Sequence, residues 1–70
     1  MIKVDTFKKE VIDEFDERLR EAKNFKVKMD RLLSKASRVI GDDVIEDNRY
    51  YLRQDIENII ESLSNIRKSL

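Results

Sequence analysis

Apolar residues recur every three or four positions along nearly the whole chain, the spacing of an amphipathic helix. With Phe15 at heptad position a, Ala22, Met29 and Ala36 also fall at a. Val4, Val11, Phe25, Leu32 and Val39 then take d, and Ile12, Leu19, Leu33 and Ile40 take e. A stripe three positions wide is what a helix in a globular bundle presents to its core. Lys8, Arg18 and Lys26 interrupt it. After Gly41 the pattern restarts more narrowly: Ile45, Leu52, Ile59 and Ile66 at d, Ile56, Leu63 and Leu70 at a, and Ile60 at e. Arg49 is the one polar residue at a. This second stripe is closer to a strict two-position seam.

The stretch "NFKVKMD", residues 24 to 30, alternates apolar and charged like a half-buried strand. Phe25 and Met29 nevertheless keep the heptad phase on both sides, and a lone strand has no partner here, so the segment reads as helix. The alternative is a break near Asn24 and a monomeric three-helix bundle.

Gly41 is the only glycine, and the chain has no proline. Glycine readily takes the left-handed conformation that ends a helix, and Asp43 with Glu46 has the spacing of a capping box for the next one. The pattern therefore predicts an all-α antiparallel helical hairpin: a single domain with a helix over 5–40, a turn at 41–43 and a helix over 44–69. Charge blocks agree. Residues 10 to 17 hold five acids and no base, and residues 23 to 38 hold six cations against Asp30. The second helix is acidic near the turn and ends in Arg67 and Lys68, so folding at Gly41 lays opposite charges together.

One partner with a narrow seam covers positions a and d and leaves the e row, Ile12, Leu19, Leu33 and Ile40, open. Four aliphatic side chains represent roughly 6–12 kcal/mol of burial, comparable with the whole net stability of a domain, about 5–15 kcal/mol. The expectation is that this row mediates self-association into a homodimeric four-helix bundle.

Composition narrows the chemistry. Seventy residues form one small domain, of a size that commonly needs association or very regular packing for stability. There is no cysteine and no histidine, which removes thiolate metal sites and the commonest general base and metal ligand. Fifteen cations balance fifteen anions, giving no global pull toward nucleic acid or membrane. No apolar run approaches a membrane span, and the N-terminus lacks a secretory pattern, so a cytoplasmic protein without a membrane partner is expected. The glycine-rich phosphate loops, nucleophile elbow and HExxH motif are all missing. A non-enzymatic protein without catalytic residue, cofactor or metal is the reading that follows.

Asp42, Asp43, Glu46 and Asp47 lack the spacing of a calcium loop and suit a helix start instead. In "DEFDER", residues 13 to 18, Glu14 with Arg18 and Asp16 with Arg20 read as i,i+4 ion pairs on a solvated face. Two patches remain as candidates. Arg49, Tyr50, Tyr51 and Arg53 combine residue types enriched at protein-binding hot spots. Lys28, Arg31, Lys35 and Arg38 form a cationic stripe about 15 Å long that suits phosphates, or that merely pairs with the acidic second helix. The expected function is binding of another protein, as an adaptor, regulator or inhibitor of the kind phages and mobile elements encode. A nucleic-acid-binding dimer using the basic stripe, and a purely structural bundle, are the alternatives.

Overall fold

A computed structural model describes the backbone of residues 2–70 and the side chains of residues 5–70. It contains two α-helices, α1 (Ile2–Ile40) and α2 (Asp42–Ser69), packed against each other as a hairpin. α1 runs unbroken for 39 residues. The break near Asn24, and with it the three-helix bundle, is not present. Local alternation over residues 24 to 30 yields to the heptad phase that Phe25 and Met29 share with their neighbours, and one continuous helix satisfies every backbone group in between.

The turn is shorter than the spacing predicts. Gly41 alone separates the helices, at φ 91° and ψ 168°, and its N–H donates to the Ser37 carbonyl at 2.9 Å. Asp42 and Asp43 already belong to α2, and the first turn of that helix has no side-chain cap. The capping box from Asp43 to Glu46 is therefore absent: a residue inside the helix cannot serve as its N-cap. Asp42 and Asp43 instead place negative charge where the helix dipole favours it.

Polar contacts across the hairpin define its register. Asp16 meets Arg67, Lys26 meets Glu57, Asp30 meets Arg53 and Ser34 meets Arg49. Each step from 16 to 26 to 30 to 34 along α1 is matched by an equal step back from 67 to 57 to 53 to 49 along α2. On that register Ser69 lies opposite Glu14, so the first three turns of the longer helix extend beyond the end of the shorter one.

The molecule is a thin rod of 58 × 17 × 9 Å. Its long dimension is the length of α1, at about 1.5 Å per residue. The radius of gyration is 16.9 Å, against about 11 Å for a compact chain of this length. Burial is correspondingly sparse. Among the described residues only Ile45 and Ile56, 4% and 7% exposed, are fully buried. The a row of α1 (Phe15, Ala22, Met29, Ala36) and Leu52, Ile60 and Leu63 of α2 are half-buried along the seam. No described helix is long and apolar enough to cross a membrane.

Candidate functional site

The seam between α1 and α2 has two flanks of different character. Arg67 Nε donates to Asp16 Oδ1 at 2.9 Å and Lys26 Nζ to Glu57 Oε1 at 3.0 Å. Arg53 Nη2 reaches Asp30 Oδ1 at 3.4 Å and Arg49 Nη2 reaches Ser34 Oγ at 3.5 Å. By helical position, all four contacts lie on the b/e side of α1. Helix geometry therefore puts them on one edge of the hairpin.

Arg49 is the polar residue at an a position. Its stem enters the seam and its head reaches outward. Nε is buried without a hydrogen-bond partner; it lies 3.8 Å from Glu46 Oε1, within ion-pair range but too far for a hydrogen bond. Asp16, expected to pair with Arg20, turns to Arg67 instead because the register sets that guanidinium opposite it. Arg18 does contact Glu14, at 3.9 Å, but its closer partner is Glu21 at 2.8 Å. The hydrogen bond and charge of Glu21 hold the Arg18 pKa above its ordinary value.

The other flank is apolar and open. Ala22, Phe25, Ile56, Ile59 and Leu63 line one cleft along it with Arg18 and Glu21 at its border, and Val11, Phe15 and Leu63 line the next, with Glu14 and Arg18, toward the free end of α1. Phe25 is 51% exposed, Leu32 59%, Ile59 54% and Ile66 50%. Phe7, four residues before Val11 and so on the same helix face, is exposed as well.

The expected self-association row is thus placed differently from the reading above. Ile12, Leu19 and Leu33 are half-buried and only Ile40 is exposed. In the d row Phe25, Leu32 and Val39 are exposed and Val11 is half-buried. The physical reason is the tilt of the contact. A three-position stripe can be met from either edge, and α2 meets it at the e edge, where the cross-hairpin ion pairs lie. The signal was present in the sequence as the equal-step pairing of Asp16, Lys26 and Asp30 with Arg67, Glu57 and Arg53.

Of the candidate protein-binding residues, the structure separates the arginines from the tyrosines. Arg49 and Arg53 face α1, as above. Tyr50 and Tyr51 are 67% and 66% exposed, their rings edge to face with centroids 5.6 Å apart. Lys28, Arg31, Lys35 and Arg38 stand on the outer face of α1. No ion pair within the hairpin involves these four among the described residues. The basic stripe and the acids Asp42, Asp43 and Asp47 therefore sit near one another at block level without pairing across the helices. Among the described residues no group of three acidic side chains is gathered closely enough to hold a metal ion.

No protein-family model matches the chain, and no curated protein or solved structure matches it.

Proposed function

We propose that this chain acts without catalysis, by binding another protein through the outer face of α2. The observation that carries this reading is the Tyr50–Tyr51 pair. Two large aromatic side chains stand mostly in solvent, outside the seam, where the hairpin does not need them. Tyrosine offers a large contact area at low entropy cost with a hydroxyl that tolerates water, which is why it recurs at binding hot spots. Arg53, paired with Asp30 on α1, and Arg49, which reaches Ser34, face the seam behind this pair.

The test is affinity capture from the host extract with the native chain and with Tyr50→Ala combined with Tyr51→Ala. The double variant is expected to lose its partner while helicity and molecular mass stay constant. Equal capture by both proteins would rule out this site.

A second reading, phosphate binding along Lys28, Arg31, Lys35 and Arg38, is favoured by the lack of ion pairs at these four cations within the hairpin. It predicts retention on a DNA or RNA duplex that weakens steeply with salt. No binding at low salt would dispose of it.

A further inference from the structure

We propose that a second copy of this chain covers the open flank, antiparallel to the first. The two-fold axis passes between Phe25 and Ile59, and the product is a four-helix bundle. This goes beyond the reading of the tyrosine pair and does not depend on it.

The first ground is surface. The hairpin exposes 5934 Å², whereas a compact monomer of its 8.4 kDa mass exposes about 4,600 Å². The excess, roughly 1,300 Å², exceeds the roughly 800 Å² per partner that a standard stable interface buries. Large apolar side chains stand about half exposed along this flank: Phe25, Leu32, Ile59 and Ile66.

The second ground is self-complementarity in the order of residues. The d row of α1 reads Val11, Arg18, Phe25, Leu32, Val39, each seven residues from the next. Reversed about Phe25, the row sets Val11 against Val39, Arg18 against Leu32 and Phe25 against itself. The d row of α2 over the same length reads Leu52, Ile59, Ile66, and reversed about Ile59 it sets Leu52 against Ile66. Phe25 and Ile59 line one cleft, so both helices have their centre of reversal at the same level. A single two-fold axis therefore satisfies both rows.

The third ground is charge. Beside the d row of α1 runs the g row, Glu14, Glu21, Lys28, Lys35. Reversal about the midpoint of residues 24 and 25, half a residue from Phe25, sets Glu21 against Lys28 and Glu14 against Lys35, giving two pairs of each kind in the dimer. A parallel copy would stack like charge on like and is disfavoured. On α2 the corresponding row is Asn48, Asp55, Ser62, Ser69, which reverses without opposing like charges. Arg18 is the one cation in the d row of α1. Glu21 already neutralises it at 2.8 Å, and its stem can lie along Leu32 of the copy with the head at the rim.

The chain has no cysteine, so introduced cysteines report on geometry without background. Light scattering is expected to give twice the 8.4 kDa mass. Phe25→Cys, next to the axis, is expected to cross-link to its own copy on mild oxidation, while Leu33→Cys, inside the hairpin seam, is not. Glu14→Lys with Glu21→Lys makes the g row wholly basic, and Lys28→Glu with Lys35→Glu makes it wholly acidic. Each variant alone is expected to weaken self-association at least ten-fold, and mixing them is expected to restore a one-to-one dimer. Because mixing repairs the defect, a variant that failed to fold would be recognised. A monomer throughout the concentration series overturns the proposal and leaves the flank to a different protein. A dimer that cross-links through Leu33→Cys but not Phe25→Cys overturns it as well. The tyrosine variant, in contrast, alters capture and leaves mass unchanged.

Discussion

On one flank of the seam, Asp16, Lys26 and Asp30 reach across to Arg67, Glu57 and Arg53 at 2.9 to 3.4 Å. On the other, Phe25, Leu32, Ile59 and Ile66 stand about half in water. The polar flank contains the long-range contacts that state which residue faces which, yet exposed pairs of this kind contribute only tenths of a kcal/mol each. The open flank says nothing about register within the hairpin but holds much of the burial energy still available. The cross-hairpin pairs and the exposed apolar side chains thus lie on opposite edges of the same pair of helices. An edge that pairs charges at fixed steps excludes slipped alignments. An edge that presents aliphatic and aromatic rows invites a further layer.

The largest perturbation removes the seam on which both edges depend. Ile56→Ala is expected to cost about 2–4 kcal/mol in chemical unfolding at fixed protein concentration; a loss under about 1 kcal/mol would mean the two helices are held by something else. Next comes the open edge. Phe25→Ala should cost about 2 kcal/mol per chain where the protein is associated, and under about 0.5 kcal/mol in dilution. A penalty independent of concentration would place Phe25 in the hairpin's own core instead.

Arg49→Met is predicted to move stability the other way, by up to about 1 kcal/mol, because it replaces a buried nitrogen that lacks a hydrogen-bond partner with a side chain suited to an a position. The polar edge itself should register less. A double-mutant cycle on Asp16→Ala and Arg67→Ala should give a coupling of about 0.2–1 kcal/mol that shrinks in roughly 1 M salt. Replacing both Tyr50 and Tyr51 by alanine should leave stability within about 0.5 kcal/mol, since neither ring packs into the seam.

The helical class, the antiparallel hairpin and the reversal at Gly41 were legible from period and punctuation alone. Heptad phase carries through Phe25 and Met29 and overrides the strand-like alternation around them. The turn length was not legible, because the capping spacing of Asp43 and Glu46 competes with a glycine conformation that reverses the chain within one residue. Which edge of the stripe stays open was not legible for a different reason. A three-position stripe shows how much surface needs covering but not from which side the partner arrives. Here the partner arrives from the side where Asp16, Lys26 and Asp30 wait, so Leu19 and Leu33 are shielded and Phe25 and Leu32 are left. The arginines at 49 and 53 were grouped with the tyrosines because hot-spot composition is read from residue type; their direction toward α1 follows only once the register is known.

Gly41 carries a consequence of its own. Helices of 39 and 28 residues are separated by a single residue, whose φ of 91° L-side chains rarely adopt, and a β-carbon there would meet nothing within 4 Å. Only torsional cost resists substitution. Drawing φ and ψ of that one residue into the helical range would fuse the molecule into a continuous spindle about 100 Å long. Its apolar rows would then find their complement in another molecule by exchange of arms. Whether this polypeptide folds onto itself or trades halves with a neighbour is decided at one residue.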